Sequence, residues 1–397
     1  MTNELIIASA GSGKTTFLIN KALSIPDSRI LITTYTESNA KEIKNKFIAS
    51  VGYVPPNVHI STWFSFLIKQ CIKPYQTILF DYKIKGLILV NKKSGIRYTD
   101  PRSGREIPYA EGDNFEKFYF TKNKRIYSDK VAKLAIRVNT ETKGKIINRI
   151  TEIYDYLLID ECQDLAGYDL EILKTFAQCK SNLSLVCDPR QVTYLTHNST
   201  KYKKYRNGLL KDFITTECKK SNFTIDETSL SKSYRCNKLI CDFANKLYPE
   251  HSQCGSKQTK ETDHDGIFIV SKDMINDYLE KYNPVQLRWN STTKNINTDF
   301  SIANFGQSKG LTFERVLIFP TKGMLDWIKD DSISIKKFSN EARAKFYVGL
   351  TVPKIDECKD FKKYSFEVLD SSRKVIKKFD GESFKWWSWY EKYGKQW

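Results

Sequence analysis

The feature that most constrains this chain is a glycine-rich segment close to its N-terminus. Leu5-Ile-Ile predicts a short buried strand, and Ala-Ser-Ala-Gly-Ser-Gly-Lys-Thr follows at residues 8–15, before an apolar helical stretch. A strand, a small-residue loop and a helix in this order are the context of a phosphate loop. The amides of such a loop converge on phosphate oxygens, and the helix N-terminus adds the positive end of its dipole. The segment therefore predicts a nucleoside triphosphate site.

Two side chains of this loop have specific expected tasks. Lys14 is expected to reach the β- and γ-phosphates, and the Thr15 hydroxyl to hold Mg²⁺. The first position of the usual pattern is Ala8 rather than glycine, a residue small enough for the turn. The residues expected to contact the nucleotide are Ala8, Ser9, Ala10, Gly11, Ser12, Gly13, Lys14, Thr15 and Thr16.

A pair of carboxylates follows a second apolar strand. Tyr156-Leu-Leu-Ile runs directly into Asp160-Glu-Cys-Gln-Asp164. Asp160 is expected to bind the metal ion, largely through its waters, and Glu161 to act as general base toward the attacking water. An isolated Asp-Glu pair is usually a solvated loop, but the buried strand and the phosphate loop favour the catalytic interpretation.

Further motifs occur in a fixed order along the chain. A strand at 183–187 ends in Asp188-Pro-Arg-Gln191, where Gln191 is placed to sense the γ-phosphate. The remaining motifs are Leu230-Ser-Lys-Ser-Tyr-Arg235, Phe305-Gly-Gln-Ser-Lys-Gly-Leu-Thr-Phe313 and Glu341-Ala-Arg-Ala-Lys-Phe-Tyr-Val-Gly-Leu-Thr351. In this order the set resembles the UvrD/Rep-like branch of the superfamily 1 helicases, from Ala8 to Thr351.

The resemblance implies an α/β fold of two RecA-like parallel-sheet domains, with ATP bound between them. It implies an ATP-dependent DNA helicase or single-strand DNA translocase that moves 3′ to 5′. Tyr234 matches the aromatic that stacks on the nucleotide base, and Arg235 matches an arginine that reaches the γ-phosphate across the cleft. The catalytic residues implied are Lys14, Glu161, Gln191 and Arg235, and Gly310 lies in the segment that couples nucleotide to strand binding.

Other positions match family segments that touch single-stranded nucleic acid. These positions are Thr34, Tyr35, Thr62, Trp63, Phe64 and Ser308. Stacking of a base on an aromatic side chain contributes about 1–3 kcal/mol. For Trp63 and Phe64, packing in the core is an equally good interpretation.

The sequence departs from the family pattern in two places that concern the nucleotide. None of the seven residues before Ala8 is the glutamine that usually reads adenine. The closing motif reads Thr351-Val352-Pro353 where the family has Thr-Arg-Ala, so the second arginine finger is missing. An arginine finger is worth about 10³–10⁵ in rate. Either Arg343 substitutes, or turnover is slow, or a partner supplies the charge. Of these, we expect Arg343 to contribute to the nucleotide site.

Two further departures concern the strand and the domains. No Trp follows Gln191, which leaves Tyr194 or His197 to stack on a base or to serve a structural role. Only about 70 residues separate Arg235 from Ser308, too few for the large insertion of longer relatives. The resemblance is therefore to a compact form of the family.

The motifs predict a first motor domain over residues 1–215 and a second over 216–397. An insert near 76–145 carries basic residues among tyrosines and phenylalanines, which suits a phosphate-tracking surface or a solvated loop. The basic tail at 371–397 contains four tryptophans. It packs on the second domain, docks a protein or nucleic acid, or lies on a membrane surface.

Composition limits the partners and the setting. A net charge of +18 favours a polyanionic partner, of which nucleic acid is the commonest, although base bias in the genome also enriches lysine. The family resemblance implies that this partner is single-stranded or tailed DNA. No apolar run approaches the roughly 20 residues that span a bilayer, and we expect no membrane partner. The nine cysteines form no Cys-x-x-Cys pair, which suits a cytoplasmic protein without structural zinc.

One alternative function is a nucleic-acid-sensing ATPase subunit of a phage or antiviral defence complex that unwinds nothing by itself. A nucleotide kinase or GTPase switch would keep the phosphate loop but leave Asp160, Glu161, Gln191 and Arg235 unexplained.

Overall fold

The computed structural model describes most of the chain. It covers residues 2–90, 92–197, 199–259, 266–329, 335–353, 366–369 and 375–379. The Trp-rich tail predicted at 371–397 lies outside the described residues, apart from the short strand at 375–379.

Strands occur throughout the described chain. Those of the N-terminal part are β1 (Asn3–Ile7), β2 (Ile30–Thr34), β3 (Val58–Thr62), β4 (Gly86–Ile88), β5 (Ile96–Thr99), β6 (Glu106–Pro108), β7 (Arg125–Tyr127), β8 (Tyr156–Ile159), β9 (Asn182–Cys187) and β10 (Phe223–Asp226). Those of the C-terminal part are β11 (Lys232–Ser233), β12 (Gly255–Ser256), β13 (Val285–Arg288), β14 (Ile302–Asn304), β15 (Val316–Ile318), β16 (Phe366–Leu369) and β17 (Val375–Phe379).

Helices alternate with these strands. The α-helices are α1 (Lys14–Leu23), α2 (Glu37–Val51), α3 (Trp63–Phe66), α4 (Phe115–Tyr119), α5 (Ser128–Glu141), α6 (Lys145–Ile153), α7 (Tyr168–Phe176), α8 (Leu210–Glu217), α9 (Lys238–Asn245), α10 (Ile275–Tyr282), α11 (Lys322–Lys329) and α12 (Asn340–Thr351). A π-helical turn at Leu67–Ile72 continues α3, and a 3₁₀ segment at Lys73–Ile78 follows it.

A six-stranded parallel sheet organises residues 2–226, which we call the first lobe. Its strand order is β10-β1-β9-β8-β2-β3. The central strand β2, Ile-Leu-Ile-Thr-Thr, is buried along its whole length, as expected for a parallel strand covered on both faces. Since the strands are parallel, the segments following β1, β2, β3, β8 and β9 meet at one edge, the usual place of a ligand site in such sheets.

Two apolar layers cover the faces of this sheet. Helices α1 and α2 bury Leu18, Ile43 and Phe47 on one face. Helices α3, α5, α6 and α7 cover the other face, where Trp63 and Leu134 are buried. Thr36 caps α2 by accepting the Asn39 N–H, which starts the helix directly after β2. The predicted parallel α/β fold is confirmed.

The insert of the first lobe is smaller than the range 76–145. Strands β4 and β7 pair in parallel, and β5 and β6 pair as an antiparallel ribbon. Helix α5, placed within the insert by the sequence, instead buries Val131, Leu134 and Val138 in the main core. Strand β10 also lies beyond residue 215, because pairing with β1 makes it an edge strand of the main sheet.

Residues 232–353, described except for 260–265 and 330–334, form what we call the second lobe. Strands β14, β13 and β15 form a parallel sheet in that order, and β11 pairs with β12. Its core contains Phe305, Trp327, Phe346 and Tyr347. Among the described helices, none combines the length and the apolar character needed to cross a membrane.

Candidate active site

The phosphate loop lies between β1 and α1, at the edge where the strand ends meet. The Ala8 N–H donates to the Cys187 carbonyl at 2.7 Å, and the Ser9 N–H donates to the Leu230 carbonyl at 2.8 Å. Ala8 is 1% exposed and therefore fits the turn at the position where glycine is usual. Gly11 and Gly13 have φ of +69° and +90°, a region in which glycine alone is unstrained.

The acidic pair lies beside this loop. The Asp160 N–H donates to the Thr33 carbonyl at 2.8 Å, which places the carboxylate directly after β8. The Asp160 Oδ1 atom accepts the Glu161 N–H at 2.9 Å, and Glu161 has φ of +54°. A non-glycine residue in this region is uncommon, and such strain clusters at functional sites. The positive φ of Glu161 gives its backbone a different orientation from that of Asp160.

Burial and charge move the two carboxyl pKa values in opposite directions. Burial, with the Glu161 charge beside it, raises the pKa of Asp160 above its ordinary value. Burial also opposes ionisation of Glu161, but the Lys309 and Lys14 cations outweigh it and lower the pKa of Glu161. Glu161 is thus held as a carboxylate, the form a general base needs.

The oxygen donors predicted to hold magnesium are the Asp160 carboxylate and the Thr15 hydroxyl, and oxygen ligands are those that Mg²⁺ prefers. Among the described residues, no group of three or more His, Cys, Asp or Glu side chains is placed to hold a metal ion, so magnesium at this edge stays a prediction. The Lys14 charge acts to lower the pKa of both Asp160 and Glu161, so the phosphate loop and the acidic pair interact electrostatically. Within the described residues, the buried hydroxyls of Ser12 and Thr33 have no hydrogen-bond partner, which leaves polar groups for a ligand.

The segment after β9 is linked to the acidic pair through Gln163. The Gln163 amide donates to Glu161 and accepts the Asp188 N–H at 3.3 Å. Gln191, the predicted sensor, is 7% exposed, and its N–H donates to the Asp188 carbonyl at 3.0 Å. This hydrogen bond holds the Gln191 backbone beside Asp188, and its sensor role stays a prediction.

Arg190 is the residue of this segment that the sequence analysis did not single out. It is 3% exposed and its Nε lies 2.8 Å from Asp188 Oδ1. The sequence signal that could have identified Arg190 is a charged residue between Pro189 and Gln191, directly after a buried strand.

The second lobe contacts the phosphate loop through its Tyr-Arg motif. The Tyr234 N–H donates to the Gly11 carbonyl at 2.9 Å, and the Tyr234 ring is 55% exposed. The Arg235 Nη1 atom donates to the Thr351 carbonyl at 3.2 Å. A Cβ atom at Gly11 would lie 2.6 Å from the Arg235 Cβ. Tyr234 and Arg235 therefore adjoin the phosphate loop, and their roles toward the nucleotide stay predictions.

Lys309 brings a second-lobe cation onto the acidic cluster. Its Nζ lies 2.6 Å from Asp164 Oδ2 and 3.3 Å from Glu161 Oε2, with its side chain 4% exposed. Burial opposes the charge, but the two carboxylates outweigh it and raise the pKa of Lys309. Burial also raises the pKa of Asp164 to about 7. Glu161, the predicted general base, is thus ion-paired with a residue of the second lobe.

Arg343 is not brought to the phosphate loop. Its Nε donates to the Leu247 carbonyl at 2.5 Å, its Nη2 lies 2.7 Å from Glu250 Oε2, and its guanidinium carbon lies 3.9 Å from the Tyr248 ring centroid. Val352, at the missing finger position, is 2% exposed and its carbonyl accepts the Phe313 N–H at 3.1 Å. In this conformation Arg343 stabilises the second lobe, contrary to the substitution considered from the sequence.

Several residues expected to touch nucleic acid are buried in this conformation. Trp63 is 2% exposed and donates its indole N–H to Asp169 at 2.7 Å, while Phe64 is 4% exposed. Trp63 and Phe64 are therefore packed in the core, which is one of the two interpretations that the sequence left open. Thr34 is also buried, Thr62 caps α3 by accepting the Ser65 N–H, and Ser308 donates to the Phe305 carbonyl.

Tyr35 belongs to an aromatic cluster next to the ion pair. Its ring centroid lies 5.0 Å from that of Tyr194 and 5.7 Å from that of Phe64. The Lys309 ammonium lies 5.1 Å from the Tyr194 ring centroid. His197 is 4% exposed and accepts the Tyr168 N–H at 3.1 Å, a structural contact. Gly310, with φ of +79°, turns the chain out of this cluster.

Comparisons with known proteins agree with the family resemblance. A family model described as the UvrD/REP helicase N-terminal domain matches residues 1–83 and 80–202. A probable DNA helicase II homolog of Mycoplasma capricolum is 25% identical over 312 residues, and the match covers 67% of this chain and 40% of that protein. ATP-dependent DNA helicase PcrA of Bacillus subtilis is 23% identical over 306 residues, with the same shares.

A third relative differs in how much of it is matched. Gabija protein GajB of Bacillus cereus is 25% identical over 294 residues, and the match covers 70% of this chain and 53% of that protein. The chain therefore spans about 40% of the length of the helicases named above and about half of the length of this one.

Proposed function

The chain belongs to the UvrD/REP helicase family, and from this premise we propose that it is an ATP-dependent DNA helicase or single-strand DNA translocase. The observation that carries the proposal is the meeting of the two lobes at the phosphate loop. Gly11 and the acidic pair come from the first lobe, and Arg235 and Lys309 come from the second. A site made by two lobes can couple nucleotide turnover to their relative movement.

In the proposed reaction, the loop amides and Lys14 hold the ATP phosphates. Glu161 accepts a proton from the water that attacks the γ-phosphorus, the bond from that phosphorus to the β–γ bridging oxygen breaks, and ADP and phosphate leave, while Gln191 senses the γ-phosphate. Magnesium, held by Asp160 and Thr15, neutralises phosphate charge when it is bound. Arg235 is proposed to exchange its hydrogen bond to the Thr351 carbonyl for a contact with the γ-phosphate.

Strand binding is proposed to act on hydrolysis through Lys309. Its ammonium contacts the Glu161 carboxylate directly and also lies against the Tyr194 ring, which neighbours Tyr35. A DNA strand held at Tyr35 would change the packing of this aromatic pair. Lys309 would then shift relative to Glu161, and the base would be released for the water.

DNA is the proposed polymer because the chain carries a net charge of +18 and its helicase relatives are named for DNA. We also propose movement 3′ to 5′, the direction that the family resemblance implies. The exposed Tyr234 ring remains the proposed base-stacking residue for the nucleotide.

A second candidate is a nucleic-acid-sensing ATPase subunit without unwinding activity of its own. The observation that favours it is the altered closing motif, in which Val352 is buried and Arg343 is bound to Glu250 rather than to the loop. The similarity to GajB, which extends over a larger share of that protein than of the helicases, is compatible with it.

Strand separation distinguishes the two candidates. The purified chain is mixed with duplexes that carry a 3′ or a 5′ single-stranded tail, and ATP is added. A helicase separates the 3′-tailed duplex, whereas the second candidate hydrolyses ATP and leaves both duplexes paired. Glu161→Gln serves as the control, because it keeps the volume of the side chain and removes the base.

A further inference from the structure

Arg190 is a buried cation outside the residue roles assigned so far. It follows β9 and lies 3% exposed against Asp188. Burial opposes its charge, but the Asp188 carboxylate and its other partners outweigh that effect and raise the pKa of Arg190. Burying a charge is costly unless several partners satisfy it, so the other contacts of this guanidinium indicate what it does.

One set of contacts holds the start of the phosphate loop. The Arg190 Nη2 atom donates to the Ala8 carbonyl at 3.0 Å and to the Ser9 hydroxyl at 3.0 Å. Together with the ion pair to Asp188, these contacts lie entirely within the first lobe.

A second set of contacts reaches the other lobe. The Arg190 Nη1 atom donates to the Ser252 carbonyl at 3.3 Å, and the guanidinium carbon lies 5.3 Å from the Tyr347 ring centroid. Tyr347 is on α12 and is 1% exposed. A single planar group thus joins the loop to the second lobe, which suits arginine because its donors form a rigid fork.

We propose that Arg190 is a positioning residue that ties the start of the phosphate loop to the second lobe, so that lobe closure and loop geometry change together. The proposal rests on the proposed ATPase function and adds a residue to its coupling. When the lobes separate, the contacts to Ser252 and Tyr347 break while those to Ala8, Ser9 and Asp188 persist. The loop then loses its support from the second lobe.

The test compares strand-stimulated and basal ATP turnover in two variants. Arg190→Lys keeps the charge, but its single nitrogen cannot reach the loop and the second lobe together. Tyr347→Leu removes the ring from the other side of the contact. We expect each change to lower the ratio of stimulated to basal turnover by about tenfold, as for loss of a desolvated cation–π contact.

The control is Tyr347→Phe, which keeps the ring. Within the described residues, the Tyr347 hydroxyl has no hydrogen-bond partner, so its removal is expected to leave the ratio within about twofold of the wild type. In the double variant, Arg190→Lys with Tyr347→Leu, the two effects are expected to overlap rather than multiply, because both remove one interaction.

A purely local role for Arg190 gives different results. Arg190→Lys would then raise the KM for ATP and leave the ratio unchanged, or the effects of the two variants would multiply, and either result overturns the proposal. Should Arg190→Lys fail to fold, Tyr347→Leu against Tyr347→Phe still decides, since an equal ratio in both refutes the coupling contact. A wild type without strand stimulation would refute the proposed function itself.

Discussion

At the residue scale, the site depends on a few charges that are buried because each has a partner. Glu161 remains ionised because Lys309 and Lys14 offset the cost of its burial. Asp164 shares the Lys309 ammonium, and its Oδ1 atom has no hydrogen-bond partner within the described residues. Ion pairs of this kind contribute little net stability when intact, but removal of one partner is costly. Such ion pairs therefore suit a contact between the two lobes that must form and break.

Lys309→Met tests the ion pair directly. Methionine keeps an apolar stem and removes the charge, which leaves buried carboxylates uncompensated at a typical cost of about 3–5 kcal/mol. Because Lys309 is proposed to transmit strand binding to Glu161, we expect the ratio of DNA-stimulated to basal ATP turnover to fall about tenfold or more. Lys238→Met is the matched control, since its side chain is 82% exposed. Wild-type turnover in Lys309→Met would exclude this coupling.

Trp63→Phe separates the two interpretations of that ring. In the structure the indole N–H donates to Asp169, and loss of that bond is expected to reduce the free energy of unfolding by about 1–3 kcal/mol. Chemical denaturation measures the change in stability, and fluorescence anisotropy measures the affinity for single-stranded DNA. Weaker DNA binding at unchanged stability would restore Trp63 as a strand contact.

At the element scale, the edge of the parallel sheet determines the site. The loop after β1, the carboxylates after β8 and the segment after β9 meet because β1, β9 and β8 are neighbours. The meeting of these three segments could be predicted from the sequence, because each motif directly follows its strand. The contact of β11 with the phosphate loop could not be predicted in this way, because it depends on how the two lobes pack.

Gly11→Ala tests that contact between elements. The added Cβ would lie 2.6 Å from the Arg235 Cβ and 2.7 Å from the Ser233 Oγ, at a φ of +69°. The loop must move to relieve the clash, and we expect kcat/KM for ATP to fall on the order of 10²-fold.

A second glycine supplies the control for backbone strain. Gly52 has φ of +85°, but a Cβ there would meet nothing within 4 Å. Gly52→Ala should reduce stability by about 1 kcal/mol without changing ATP turnover. Equal turnover in Gly11→Ala and the wild type would show that the second lobe does not close on the loop as the structure has it.

At the scale of the whole molecule, the sequence predicted the parallel α/β fold and the family. Both follow from motifs that are local and ordered. Side-chain placement between distant segments could not be predicted in this way. Arg343 is bound to Glu250, and Arg190 contacts Tyr347, because helix α12 packs on the second lobe in one particular orientation. Burial of Trp63 likewise depends on Asp169, which is remote in sequence.

The central claim is that the two lobes form one ATPase site controlled by a DNA strand. Steady-state ATP hydrolysis by the wild type and by Lys14→Ala, each with and without single-stranded DNA, tests it most directly. The account predicts slow hydrolysis by the wild type alone, clear stimulation by DNA, and no hydrolysis by Lys14→Ala under either condition. Hydrolysis that no nucleic acid stimulates, or that survives in Lys14→Ala, would contradict it.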